Sequence, residues 1–268
     1  MKIKRVLLTG DDGYNSIGIR LLIHFLKNKY ELHFAATKHQ QSCVGGYMNL
    51  QKETHWGKVR VDGVSGFWID GTPIDAIEFA HSYYTKPFDL VISGINMGIN
   101  ISGSIMSSGT FAAANRALYL QFCSKAIAIS WDVHHSQYFK KHNVNEDLNK
   151  YFNYPGKITR SIIELAIKNN FWNTNLLNVN LPEKISRKVK FTRFLPTLLS
   201  FYPRPLNIDK KNQTFTYPYS TVNNYIKTDL NDDVVATREG YISITPCKID
   251  PLKEDVFNKL KNKQICID

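Results

Sequence analysis

Residues 88–118 read FDLVISGINMGINISGSIMSSGTFAAANRAL. The run opens on Leu90-Val91-Ile92, short, apolar, β-branched and closed by Ser-Gly, which is the pattern of a buried strand over 88–93. It closes on an alanine-rich run from Thr110 to Leu120 that predicts a helix. The loop between them is built of Gly, Asn, Ser and Met and carries no charged residue, so it offers backbone N–H groups, hydroxyls and amide oxygens at close range. Ser108-Gly109-Thr110 falls where the helix begins. Ser and Thr are good N-caps, and the free N–H groups of a helix N-terminus attract anions. Together these features predict a phosphate or carboxylate cradle at the carboxyl end of a strand. A polar surface loop before an ordinary capped helix is the other reading of the same residues.

Upstream, residues 4–9, with the run RVLLT, predict another buried strand and Gly10-Asp11-Asp12-Gly13 a tight loop. Ile19, Leu22, Phe25 and Leu26 recur at helical spacing, which predicts a helix over 17–28, and Tyr30–Thr37 predicts a second strand. Strand, helix and strand make a βαβ unit with a right-handed crossover. The first loop has no GxGxxG, so the dinucleotide fingerprint is missing. It carries adjacent aspartates instead. Ligands of α/β sheets gather at the carboxyl ends of strands, and two carboxylates there suit a hard cation such as magnesium or manganese. Asp-Asp-Gly is also plain turn chemistry. A second polar loop, TKHQQSCVGGY at 37–47, adds Ser42 as a candidate oxygen ligand.

Further along, KVRV and FWID within 58–71 predict a hairpin. Thr72 and Pro73 then open a helix that runs to about Tyr84, with Asp75 in its first turn. Ala126–Ser130 predicts a buried strand. Residues 132–153 are polar, and His134-His135 there read as solvated loop rather than a metal site. Ile158–Ile167 predicts a helix, and Leu176–Leu181 and Lys188–Phe194 predict strands. Residues 195–231, rich in Pro, Asn, Tyr and Lys, predict an extended arm or hairpin. Tyr241–Ile244 predicts a strand, and 251–262 a final amphipathic helix with Leu252, Val256, Phe257 and Leu260 on one face.

The 268 residues are 43% hydrophobic, ample for one large α/β domain or a domain with an appendage, and no apolar run approaches membrane length. The start, MKIKRVLLTG, reads as a first strand rather than a leader. Four widely spaced cysteines form no CxxC pair, which argues against zinc and a disulfide framework and for a reducing, cytoplasmic setting. The net charge of +11 attracts phosphates, but the lysines are scattered, which argues against a nucleic-acid-binding face.

Taken together, LLTGDDG, QQSCVGG, DGTPIDA, DLVISGINMGIN, SSGTFAAA, AIAIS, LLNVNLP and a Thr-Asp…GYISITP run over 228–246 resemble the SurE family of survival proteins. These metal-dependent nucleoside-monophosphate phosphatases carry the same pieces in the same order. The resemblance implies a Rossmann-like α/β catalytic region over 1–182, its mostly parallel sheet flanked by helices. It implies a C-terminal region over 183–268, with an oligomerisation arm at about 195–231 and a terminal helix. It implies a homodimer or homotetramer whose projecting β-hairpin exchanges between subunits. The implied reaction is hydrolysis of 5′- or 3′-nucleotides, in some members short polyphosphate, with one Mg²⁺ or Mn²⁺ per subunit. Carried over residue by residue, the metal ligands are Asp11, Asp12, Ser42 and Asn96, and the phosphate pocket is Asn96, Ser108, Gly109 and Thr110. The expected mechanism is in-line attack of a cation-activated water that Asp11 or Asp12 orients or deprotonates; the residues leave open which.

The chain departs from the family pattern around this set. Gly10 stands at a usual Asn, Thr37-Lys38 at Pro-Asp, and Cys43 and Gly45 at Gly and Ser. Ser102 stands at a usual Gly, Ser107 at an aromatic residue or His, and Arg116-Ala117 at Glu-Gly. These changes line the rim of the expected pocket. They motivate a second reading, a member that binds metal and nucleotide but turns over poorly. The charge alone motivates a third, a nucleic-acid-binding module, which would show a steep salt dependence.

Overall fold

The computed structural model describes residues 2–197, 206–217, 229–249 and 253–262. The strands are β1 (Arg5–Thr9), β2 (Glu31–Thr37), β3 (Trp56–Val61), β4 (Val64–Ile69), β5 (Phe88–Met97), β6 (Cys123–Trp131), β7 (Leu176–Leu181), β8 (Val189–Phe191), β9 (Asn207–Asp209), β10 (Thr214–Thr216) and β11 (Ile242–Cys247). The helices are α1 (Ile17–Leu26), α2 (Pro73–Tyr83), α3 (Gly109–Tyr119), the single turn α4 (Asn149–Tyr151), α5 (Ile158–Lys168), α6 (Asp233–Arg238) and α7 (Glu254–Leu260).

One sheet runs in the order β3-β4-β2-β1-β5-β6-β7-β11-β8, and β9 and β10 pair as a separate hairpin. From β4 through β7 every pairing is parallel. Strand β3 is antiparallel to β4, and β11 is antiparallel to β7 but parallel to β8. The fold is thus the expected Rossmann-like α/β class. From β1 the chain builds β2 and β4 on one side and β5, β6 and β7 on the other. The crevice between the carboxyl ends of β1 and β5 is therefore the switch point of the sheet, where open α/β sheets hold ligands.

The continuous apolar run of β1 reflects burial on both faces: Val6, Leu7 and Leu8 are all fully buried. Val6 and Leu8 pack with Ile19, Ile23, Ile162 and Ile163, on the side of α1 and α5. Leu7 packs with Ile77, Ala80, Ala113 and Ala117, on the side of α2 and α3. The short alanine side chains let α3 lie close over β5 and β6.

Strand β5 runs four residues past the expected end, through Gly94–Met97, and its register against β6 shifts between Ser93 and Asn96. Helix α1 reaches this irregular stretch because Gly18 has no side chain; a Cβ there would overlap the Ile95 carbonyl. The neutral loop after β5 contains a 3₁₀ segment, Ser102–Ser107.

In the C-terminal part, β8 is only three residues long, and α6 occupies a stretch too short to show a helical period. Strands β8 and β11 continue the main sheet across residue 182. Of the arm expected over 195–231, residues 206–217 carry the β9–β10 hairpin, whereas 198–205 and 218–228 lie outside the described residues. Helix α7 starts three residues later than expected, and its Val256, Phe257 and Leu260 are exposed. Cys43, Cys123 and Cys247 are free thiols; Cys266 is outside the described residues. Among the described residues no helix is long and apolar enough to cross a membrane.

Candidate active site

Asp11 and Asp12 leave the carboxyl end of β1 directly at the switch point. Each is 6% exposed. Asp11 Oδ1 accepts a hydrogen bond from the Thr110 hydroxyl at 2.6 Å. Asp12 Oδ2 accepts from the Met97 N–H at 2.8 Å, and its Oδ1 accepts from Gln40 Nε2 at 3.1 Å. The extension of β5 past Ser93 is what brings the Met97 N–H to Asp12.

Burial raises the pKa of both carboxyls above the ordinary carboxylate range, and the charge of Asp11 raises Asp12 further. Bonds from Thr110 to Asp11, and from Met97 and Gln40 to Asp12, oppose the shift. Among the described residues no Lys, Arg or His forms an ion pair with either aspartate. The pair is therefore fixed by neutral donors, and its charge is left uncompensated by the protein.

The first turn of α3 is aimed at this pair. Ser108 caps the helix by accepting from the Phe111 N–H at 3.0 Å, as its sequence position implies. Gly109 lets the helix close in: a Cβ there would lie 3.1 Å from Asp11 Oδ2 and 2.9 Å from Pro73 Cγ. Thr110 is fully buried with its hydroxyl committed to Asp11. Asn96 lies beside the register shift of β5, and its Nδ2 donates to the Gly98 carbonyl at 2.7 Å, which leaves Oδ1 as a free acceptor.

The 37–47 loop closes over Asp11 through Gln41, whose N–H donates to the Asp11 carbonyl at 2.7 Å, and through Gly45, whose N–H donates to Ser107 O at 2.9 Å. Ser42 follows Gln41 directly; it is exposed, and its hydroxyl makes no hydrogen bond to either aspartate. The structure thus brings together Asp11, Asp12, Thr110, Gly109 and Ser108, with Asn96 at the adjoining strand end and Ser42 on the covering loop.

The described residues contain no group of three or more His, Cys, Asp or Glu suited to a metal. A cation between these aspartates would complete its shell with neutral oxygens, from Asn96, Ser42 and water. Two carboxylates plus neutral oxygens fit a hard divalent ion such as Mg²⁺ or Mn²⁺ and do not fit zinc.

The departures from the family pattern also find their places. Ser102 has φ +53°, a conformation that favours glycine, yet its side chain is used: Oγ donates to Leu195 O at 2.6 Å while its N–H donates to Asp233 Oδ2 at 2.7 Å. Cys43 has φ +60°, a conformation that favours glycine. Arg116 donates to Glu78 Oε1 on α2 at 2.5 Å, so its charge is paired away from the cradle. Sequence reasoning missed Gln40, which has no signal of its own in a polar loop. It also missed the amide cluster beneath the loop: Asn100 Nδ2 donates to Ser130 Oγ at 2.8 Å, and Asn178 and Asn180 both donate to Asn100 O, at 2.8 and 3.0 Å. Strand-spaced asparagines inside the apolar LLNVNL run were the available clue.

The chain is similar to known proteins along most of its length. The profile of the family described as Survival protein SurE matches residues 6–200. The "5'-nucleotidase SurE" of Thermoanaerobacter sp. (strain X514) is 30% identical over 98% of this chain and 100% of its own length. That of Archaeoglobus fulgidus is 30% identical over 92% of each chain. That of Campylobacter jejuni subsp. doylei is 32% identical over 97% of each. The crystal structure of the SurE protein from Aquifex aeolicus superposes with a TM-score of 0.73 over 96% of this chain and 98% of that one, at 24% identity.

Proposed function

Because the chain belongs to the survival protein SurE family, we propose that it is a phosphoric monoester hydrolase that removes phosphate from nucleoside monophosphates with the help of one divalent cation, Mg²⁺ or Mn²⁺, per subunit. The observation that carries this reading is the buried Asp11–Asp12 pair at the sheet's switch point, held by neutral donors only. Asp11, Asp12, Asn96 and Ser42 would hold the ion. When bound, such an ion neutralises phosphate oxygens and acidifies coordinated water.

The protein's own residues supply the rest. Thr110 and the Met97 N–H hold the two carboxylates in fixed directions, so little reorganisation accompanies charge movement. Asn96, Ser108, Gly109 and Thr110 frame the phosphate at the N-terminal end of α3, where the helix favours negative charge. Asp11 or Asp12, both at the carboxyl end of β1 beside the proposed ion, is the group placed to orient the attacking water or take its proton. Ser108 is a poor nucleophile candidate: its Oγ is occupied by the helix cap, and no Lys or His pairs with it among the described residues. Residues 1–182 would form the catalytic region. The β9–β10 hairpin, paired outside the main sheet, supports an arm that joins subunits into a dimer or tetramer.

The test is phosphate release from a panel of 5′- and 3′-nucleoside monophosphates and a short polyphosphate, with Mg²⁺, Mn²⁺ or EDTA, beside Asp11→Asn. Cation-dependent release that vanishes in the variant supports the proposal and ranks the substrates. No release from a folded protein with any ion sinks the enzyme reading and favours the poorly active binding protein.

A further inference from the structure

Gln40 makes two bonds with one amide. Its Nε2 donates to Asp12 Oδ1 at 3.1 Å and to the Tyr138 carbonyl at 2.5 Å. Those partners are far apart in sequence, and they belong to different parts of the site. Asp12 is a candidate cation ligand. Tyr138 lies in the polar segment after β6, and its ring covers Gly98: a Cβ on Gly98 would meet Tyr138 Cδ1 at 3.6 Å and Asn96 Nδ2 at 3.8 Å.

The same segment is fastened again farther along. His142 Nδ1 accepts from the Ile17 N–H at 3.4 Å, and Arg20 Nη1 donates to the carbonyls of Glu146 at 2.9 Å and Asn143 at 3.3 Å. Residues 138–146 are thus laid along the N-terminal half of α1, and Gln40 is the tie at the end nearest the aspartates. Exposed loops are elsewhere free to move; this one has a side chain that joins its position to that of a carboxylate.

We propose that Gln40 is a positioning residue that couples the cation site to the docking of the 138–146 segment beside it. This rests on the cation reading of Asp11 and Asp12 given above. The chemistry suits the task. A neutral amide fixes the direction of Asp12 without cancelling its charge, whereas Lys or Arg at position 40 would compete with the ion. Because both bonds use the same NH₂ group, the arrangement that holds Asp12 is also the one that docks the segment. An ion that binds this arrangement must favour docking, and docking must favour the ion to the same degree. Residues that orient a metal ligand typically carry a 10- to 100-fold share of affinity.

The experiment uses Gln40→Met, which keeps length and removes both donors, and reads Mn²⁺ affinity by calorimetry. A second readout is trypsin cleavage after Lys140 and Lys141, which lie within the docked segment. The expected result is a Mn²⁺ affinity lower by roughly tenfold or more and faster cleavage at 140–141, in a variant that still unfolds cooperatively in EDTA. In the unaltered chain, Mn²⁺ should slow that cleavage, which tests the coupling without any variant. Parent-like Mn²⁺ affinity in Gln40→Met overturns the proposal, and so does cleavage of the unaltered chain that ignores bound Mn²⁺. An unaltered chain that binds no Mn²⁺ overturns the cation reading itself, and the coupling with it.

Discussion

Replacing Thr110 by Val isolates the bond that orients Asp11. The two side chains have nearly the same shape, position 110 is fully buried, and the hydroxyl lost is the one 2.6 Å from Asp11 Oδ1. Leaving this buried oxygen without its donor costs about 1–3 kcal/mol. For a chain of this size each kcal/mol moves the thermal midpoint by about 2–4 °C, so a drop of roughly 2–12 °C is expected in EDTA at pH 8. The bond also opposes the burial that raises Asp11. Without it the carboxyl holds its proton to higher pH, and an entering cation must displace that proton. The pH at which Mn²⁺ binding is half developed should therefore move upward. The assays are thermal unfolding in EDTA and Mn²⁺ titrations at several pH values. A variant that melts with the parent and shows the parent's Mn²⁺ pH profile would refute the claim that Thr110 holds Asp11.

The raised carboxyls make a pH prediction for the cation-free chain: the folded state binds more protons than the unfolded one above the ordinary value of 3.8, so stability should fall as pH rises from there toward the raised values. Urea midpoints in EDTA from pH 5 to 8, read against Asp12→Asn so that the opposite contribution of His142, lowered to about 4 by burial, cancels, check this, and a parent that gains on the variant as pH rises contradicts it. Gly109→Ala places a methyl 3.1 Å from Asp11 Oδ2 and 2.9 Å from Pro73 Cγ; it should cost about 1–3 kcal/mol in urea unfolding and weaken Mn²⁺ binding. Arg116→Ala removes a half-exposed pair with Glu78; it should cost no more than about 1 kcal/mol and leave phosphate release unchanged.

The parts of the site written in local rules are legible in the amino-acid sequence alone. The Asp-Asp turn after RVLLT and the Ser108 cap follow from neighbours within a few residues. So does the capping box of α2, where Asp75 N–H donates to Thr72 Oγ1 at 3.2 Å and Thr72 N–H to Asp75 Oδ2 at 2.8 Å. Gln40 is not legible there, since its meaning depends on Tyr138, 98 residues away. Gly94–Met97 read as loop because glycine and asparagine weaken a strand signal; pairing with β6 overrides that preference. Ser42 illustrates the opposite case, a residue that pattern singles out while the hydrogen bonds around it run through Gln41 and Gly45. Helix α6 is hidden by its brevity, although Asp233 ties it to the loop of Ser102.

Strand β11 enters the sheet between β7 and β8, although β8 precedes it in the chain. As the polypeptide is made, β8 has nothing to pair with until residues 242–247 arrive, so the last two of the sheet's nine strands join it together and late. The hairpin of β9 and β10 lies on the covalent path between those two neighbours but takes no part in their pairing. A protease nick between Asp209 and Thr214 would therefore sever the chain without opening the sheet, and the two fragments would remain one body, gripped along both edges of β11. The length of the intervening loop can drift, or its tip be exchanged, while the floor beneath Asp11 and Asp12 stays as it is.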